Sequence, residues 1–165
     1  MAKPHLITAP SSASVRFLAE NMRKDDVAEV KAMSGMGPLE ALLLGVDLSA
    51  EAYVAWAHSE EPVAIFGVIP VPSLPDRPQA SIWLLGTEGI VKHRFRFHKV
   101  SLQIVEKFNQ TYGLLSNMVD LRNRAHLKWL HALGFQFGDP VLAGVEKLPF
   151  VPFYRFPKQC AIPSA

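Results

Sequence analysis

Val119-Asp120-Leu121-Arg122-Asn123-Arg124-Ala125-His126-Leu127-Lys128-Trp129-Leu130-His131-Ala132-Leu133-Gly134-Phe135 is the stretch whose reading decides the fold. It opens on the end of an apolar run, 114–119, short enough for a buried strand. Asn123 follows and suits a helix N-cap, because its side-chain oxygen can accept from an N–H of the first turn. Residues 124–133 then carry a helical pattern that Gly134 ends. A strand that feeds directly into a helix is half of a crossover unit.

The other half lies upstream. Residues 81–85 read as a strand ending at Gly86, and 92–112 as a long helix ended by Gly113. Phe97, Val100, Ile104 and Phe108 share one helical face, with Ser101 and Val105 beside them. These four are expected to be buried, and Arg96, Lys99 and Lys107 exposed. A long helix between two strands places those strands parallel in one sheet.

Further out, 15–18 reads as a short first strand and Asn21 as the cap of a helix running to about Ser34, with Asp25 and Asp26 near its positive end. Gly35 and Gly37 end that helix, and Pro38 starts another over 38–44. Strands are expected over 52–58 and 63–69, and the last two over 141–147 and 153–156, separated by Pro149 and Pro152. Pro70, Pro72, Pro75 and Pro78 mark a loop between neighbouring strands. The order gives an α/β fold: a mixed, mostly antiparallel sheet with helices on both faces. The single domain spans 14–157, between a flexible arm, 1–13, and a flexible tail, 158–165.

Composition bounds the function. The 165 residues are 49% hydrophobic and 19% charged, as in a globular domain, and the formal charge of +2 gives no basis for nucleic-acid binding. The lone Cys160 excludes an internal disulfide and points to a reducing, cytoplasmic compartment. No run approaches a membrane span. Gly-x-Ser-x-Gly, Walker and His-Glu-x-x-His patterns are absent, and no metal is expected. Trp56, Trp83 and Trp129 are expected in the core.

The element order, together with Asn123 at its distance from Gly134-Phe135 and Val15-Arg16 followed by Asp25 and Glu29, resembles the GNAT (GCN5-related N-acetyltransferase) superfamily. A narrower likeness covers roughly 80–137: Ser81-Ile82-Trp83, the basic stretch 92–99, then Tyr112, Leu115, Asn117, Asn123, His126, Leu130, Gly134 and Phe137. It is similar to the GNAT-like internal virion protein A family of short-tailed phages. The resemblance implies parallel central strands that splay apart to admit acetyl-CoA or CoA. It also implies phage or host proteins as partners, and a place in the host cytoplasm or the virion.

The resemblance places cofactor contacts at Leu84, Leu85, Gly86, Lys92, His93, Arg94, Asn117 and Asn123. The family's glycine-rich phosphate loop corresponds to Gly86-Thr87-Glu88-Gly89-Ile90-Val91-Lys92-His93-Arg94, which has two glycines at another spacing and a glutamate between them. Lys92, His93, Arg94, Arg96, His98 and Lys99 offer cations instead, unless they are simply a solvated basic face. The family's acidic tyrosine corresponds to Leu130, which has no proton to give. His126 and His131 lie close by and could titrate near neutrality. Candidate bases are Glu51, Glu60, Glu61, Glu88 and His58. Glu88, at the expected cofactor mouth, and His126 are the foremost catalytic candidates. Two functions follow: an acetyl-CoA-dependent N-acetyltransferase with a degenerate cofactor loop, or a non-catalytic virion-assembly protein that uses the fold as a binding module. The altered loop and Leu130 weigh toward the second, with acetyl transfer absent or slow.

Overall fold

The computed structural model describes residues 7–57 and 61–158. Fourteen elements run in the order β1 (Ile7–Thr8), α1 (Ser12–Glu20), α2 (Lys24–Ser34), α3 (Pro38–Leu48), β2 (Glu51–Ala57), β3 (Glu61–Val71), β4 (Gln79–Gly86), α4 (Gly89–Lys92), α5 (Arg94–Thr111), β5 (Leu114–Asp120), α6 (Arg124–Ala132), β6 (Gln136–Phe137), β7 (Val141–Ala143) and β8 (Leu148–Arg155). The strands form one sheet in the order β1-β2-β3-β4-β5-β8-β6, with β7 also on β8.

The first strand is not at 15–18. Those residues lie in α1, because Ser11 and Ser14 form a reciprocal capping box that starts a helix: Ser14 N–H donates to Ser11 Oγ at 3.1 Å and Ser11 N–H to Ser14 Oγ at 2.9 Å. Val15 and Leu18 then fall on one buried face. The first strand is Ile7–Thr8, within the stretch read as a loose arm, and it pairs with β2. Asn21 closes α1 rather than opening α2, its amide donating to Phe17 O at 2.9 Å. The 92–112 helix divides at His93 into α4 and α5.

At the C-terminal end, the strand expected over 141–147 stops at Ala143, where Gly144 (φ 75°) and Lys147 (φ 50°) turn the chain left-handed. β8 then runs unbroken through Pro149 and Pro152. Pro152 accepts from Gly138 N–H at the gap between β6 and β7, and Pro149 accepts from Leu121 N–H just past the end of β5. Each missing proline N–H therefore falls where no ladder bond is needed.

Helices cover both faces. Val15, Leu18 and Leu42 pack with Val54, Ile65 and Leu85 on one. Phe97, Val105, Phe108, Leu130 and Leu133 pack with Phe66, Val68, Leu115 and Val119 on the other. In α5, Phe97 and Phe108 are buried as expected, and Lys99 and Lys107 are exposed. The buried face is completed by Ser101 and Val105, with Val100, Ile104 and Arg96 half-buried, so the helix is rotated slightly from the expected setting.

β4 and β5 are parallel, as the crossover requires, and pair only at Gln79↔Leu114, Ala80↔Leu115 and Ser81↔Ser116. Beyond Ser81, β4 stays on β3 to Gly86, and β5 stays on β8 to Asp120. The sheet is split between them.

Candidate active site

Backbone direction alternates along a strand, so the groups facing the split follow from the bonds made there. On β4, Ile82 O accepts from Asn117 Nδ2 at 2.8 Å, Gly86 N–H donates to Asp26 Oδ2 at 3.0 Å, and Gly86 O accepts from Arg23 N–H at 2.9 Å. Leu84 lies midway between Ile82 and Gly86 and presents its N–H and C=O to the same opening. On β5, Met118 N–H donates to Asn117 Oδ1 at 2.7 Å and Asp120 N–H to Glu29 Oε2 at 3.0 Å. Asn117 thus staples the base of the split.

The tips are held by α2. Asp26 and Glu29 sit one turn apart, so both point from one face of the helix. Asn123 spans them, its Nδ2 lying 3.1 Å from Asp26 Oδ1 and 3.2 Å from Glu29 Oε2, while its Oδ1 caps α6 at His126 N–H. Arg23, almost fully buried, adds a contact of 3.4 Å to Asp26 Oδ1. Burial pushes the Asp26 carboxyl above its ordinary range, against the pull of Arg23. Burial likewise raises Glu29 to about 7, with Asp26 and Asp120 adding repulsion and the Asp120 N–H and Asn123 amide opposing. Both bonds to Glu29 fall on Oε2, which leaves Oε1 to take a proton.

A cavity of about 300 Å³ passes through the split. Glu29, Met33, Leu44, Leu48 and Trp83 line it on the α2–α3 face, and Ile82, Leu84, Ser101, Ile104, Asn117 and Trp129 on the α5–α6 face. Glu29 is its one lining carboxylate among the described residues. A second cavity of about 710 Å³ lies between α4–α5 and α6 and shares Leu84, His126 and Trp129 with the first, so the two adjoin across these side chains. Arg94 and Lys128 line it as cations, with Arg23, which is paired with Asp25 and Asp26, and the imidazoles of His98 and His126 beside them.

Two polar atoms in the shared wall, His126 Nδ1 and Trp129 Nε1, are shielded from solvent with no hydrogen-bond partner among the described residues. Each such group costs about 1–3 kcal/mol when left unmade. Burial, with Arg23 nearby, pushes His126 down to about 4, so its ring is neutral at pH 7.

The residues singled out from sequence divide as follows. Leu84, Leu85, Asn117 and His126 line the first cavity and Arg94 the second, while Gly86 and Asn123 belong to the network at the tips. Lys92 ends α4 and His93 sits between α4 and α5, and neither lines a cavity. Glu88 is exposed at the start of α4, outside both cavities, and His131 is exposed on α6. Glu51 is bound by Tyr53 and Lys107, and Glu61 is exposed at the start of β3. His58 and Glu60 lie outside the described residues. Leu130 is buried in the cavity wall.

Gly86 and Gly89 have a packing role: a Cβ on Gly86 would meet Ile90 at 2.0 Å, and one on Gly89 would meet Val63 at 2.6 Å. The α4 turn also satisfies its own first N–H groups, Gly89 at Thr87 Oγ1 and Ile90 at Thr87 O. The residue that sequence reasoning missed is Glu29. The available signal was its i, i+3 spacing from Asp26 at the start of a helix.

Among the described residues no group of three or more His, Cys, Asp or Glu side chains could hold a metal ion, and no helix is long and apolar enough to cross a membrane.

No protein-family model matches the chain, and no curated protein sequence matches it. Solved structures do. A GNAT-family acetyltransferase from Bacillus anthracis superposes with a TM-score of 0.66 at 7% identity, covering 94% of this chain and 96% of that one. Spermidine N-acetyltransferase from Vibrio cholerae, in complex with CoA and spermine, gives 0.65 at 12% identity over 92% and 94%. Ribosomal-protein-S5-alanine acetyltransferase from Vibrio fischeri gives 0.63 at 12% identity, covering 95% of each. The split sheet, its flanking helices and these superpositions agree: the chain has the fold of the GNAT acetyltransferases.

Proposed function

We propose that the chain is an acyl-CoA-dependent N-acyltransferase, using acetyl-CoA or a close analogue, with Glu29 as general base. The observation that carries the reading is Glu29 itself: one carboxylate, raised to about 7, at the mouth of the split. A base works best when its pKa lies near the operating pH. An ordinary surface glutamate has no reason to be held there.

The groove fits a CoA thioester. A pantetheine arm carries amides, and Leu84 offers a strand donor and acceptor facing the opening. His126 Nδ1 and Trp129 Nε1, without partners of their own, line the same path. Arg94 and Lys128 supply cations where a pyrophosphate would lie. This replaces the family's glycine loop with side-chain charge, since the α4 turn spends its own N–H groups internally. Bound there, the thioester supplies an activated acyl group. The neighbouring spermidine N-acetyltransferase is solved with CoA.

The chain's own work is positioning and proton transfer. Asp26, Glu29 and Asn123 keep the strands apart. Glu29 Oε1 takes the proton that the acceptor nitrogen gives up. His126, neutral at pH 7, leaves Nδ1 open to a hydrogen bond from the bound thioester and does not act as an acid. No acid stands at Leu130, and a thiol with a pKa of about 8.5 leaves as its anion without one. Of the two features that weigh against catalysis in the sequence, the leucine removes an aid and the loop has a substitute.

The phage likeness bears on where the enzyme works. A virion-assembly role is the second reading, and it rests on that resemblance alone. Calorimetry with acetyl-CoA and CoA, followed by thiol release with a panel of amines, tests the proposal. Thiol release above the uncatalysed rate, lost in Glu29→Gln, is the expected result. Absence of both binding and turnover would leave the assembly role.

A further inference from the structure

The α2–α3 side of the cavity has a composition that selects an acceptor. Its walls are Met33, Met36, Leu44, Leu48 and Trp83, with Met118 of β5 opposite. Leu44, Leu48 and Met118 remain 41%, 51% and 36% exposed, so an apolar rim surrounds the entrance. The unpartnered His126 Nδ1 and Trp129 Nε1 lie on the α5–α6 side, and the other polar side chains nearby, Glu29 apart, are already engaged. Ser34 Oγ donates to Val30 O at 2.9 Å, Ser101 Oγ to Phe97 O at 2.6 Å, and Asn117 bridges the two strands. One anion is present, Glu29, beside the tip of β5.

We infer that the acceptor is a small primary monoamine on an apolar alkyl or aryl body. This rests on the acyltransferase reading and names its substrate class. The amine is drawn to Glu29, and its body covers the leucine and methionine rim, which is favourable in proportion to the apolar area removed from water. The exchange balances as neutral amine plus thioester giving amide plus thiol: the C–N bond forms, the C–S bond breaks with its electron pair on sulfur, the nitrogen's proton goes to Glu29, and the thiolate takes up a proton from solvent as Glu29 releases its own.

Other amines fit worse for stated reasons. A polyamine would leave its second ammonium among methionine and leucine side chains with no partner. An amino sugar would bring hydroxyls to a wall whose hydrogen-bonding groups are spent. A peptide N-terminus would bring backbone amides to the same wall. The volume, about 300 Å³ through both faces, is at the small end for ligand pockets and favours a small acceptor body.

The test uses the full chain saturated with CoA in calorimetry, and acetyl-CoA in parallel thiol-release assays. The probes are hexylamine, phenethylamine, spermidine, glucosamine and an alanyl dipeptide amide. Hexylamine and phenethylamine should bind, and should exceed the others in kcat/KM by about tenfold or more, the order even one methylene in an apolar pocket is worth. The double variant Leu44→Gln with Leu48→Gln, at exposed positions, should weaken both apolar amines by a similar factor and leave CoA affinity unchanged. Preference for spermidine, glucosamine or the dipeptide, or no change in the variant, overturns the proposal. Hexylamine binding that depends on the two leucines without any turnover supports the acceptor class and sinks the catalytic reading. CoA binding with no apolar-amine binding does the reverse.

Discussion

Asp26 and Glu29, one turn apart on α2, each hold the backbone N–H at the tip of a different strand: Gly86 on β4 through Asp26, and Asp120 on β5 through Glu29, both at 3.0 Å. Two diverging parallel strands would otherwise continue to pair. The carboxylates take the donors that such pairing needs, and Asn123 ties the two acids together. The proposed base, Glu29, is thus one half of the wedge.

Glu29→Gln separates the two roles. The amide oxygen can still accept from Asp120 N–H, so the fold survives, while proton acceptance is lost. We expect kcat/KM to fall by about 100- to 10,000-fold. Stability should move the other way. Glu29's folded pKa of about 7 lies above its ordinary 4.5, so its contribution is fully present below 4.5 and is lost as pH rises through 7. Keeping it ionised at pH 8 costs on the order of 3 kcal/mol, at 1.36 kcal/mol per unit. Urea unfolding should find the variant level with the parent at pH 4 and more stable at pH 8. The parent's rate should rise with pH on a limb centred near 7. A variant less stable at pH 8 would disprove the raised pKa.

Asn123→Ala should cost about 2–4 kcal/mol, since it removes a helix cap and leaves two buried carboxylates short of a donor. It should also shift the acid limb of the rate profile to higher pH, because the lost amide hydrogen bond helps to keep Glu29 ionised. A stability loss with an unmoved limb would mean that the amide supports the fold alone.

His126→Phe should flatten the acid side of the stability curve. Its folded pKa is depressed to about 4 from 6.5, so its contribution is present above 6.5 and lost as pH falls through 4. Circular dichroism melts between pH 4 and 7 should show the parent losing Tm on acidification more steeply than the variant.

Cations in the second cavity should matter more than those at its edge. Arg94→Ala should weaken CoA by about tenfold or more, the worth of one charge-assisted contact to phosphate. Lys92→Ala, outside both cavities, should leave the affinity within about twofold. Equal losses would return the site to the general basic face of the chain.

The crossover of β4, the long helix and β5 is legible in the sequence because it needs only two apolar runs and a helical period between them. The start of the chain is harder. Val15-Arg16-Phe17-Leu18 fits a strand and a helix equally well over four residues, and two serines before it decide the matter. Pro149 and Pro152 look like strand breaks until the partners of β8 are known. At the site, Asn123 is legible as a cap and Leu84 and Asn117 as neighbours of the split. Glu29 is not, because Asp26 and Glu29 read as an ordinary solvated helix turn. Their meaning comes from Asp120 and Asn123, 91 and 94 residues away from Glu29.

Trp83 forms part of the wall of the apolar chamber, and two glycines make the slot that holds it. A Cβ on Gly45 would sit 2.9 Å from its ring and one on Gly67 3.0 Å from its Nε1, while Nε1 donates to Ser49 Oγ at 2.8 Å. An indole clamped this way has one orientation and one hydrogen bond, and what varies around it is the content of the chamber. The molecule therefore carries its own optical gauge. With Trp56 and Trp129 replaced by phenylalanine, Trp83 emission should shift to the blue as an apolar guest displaces water, and the shift should follow a ligand's dose without a dye, a tag or a coupled enzyme.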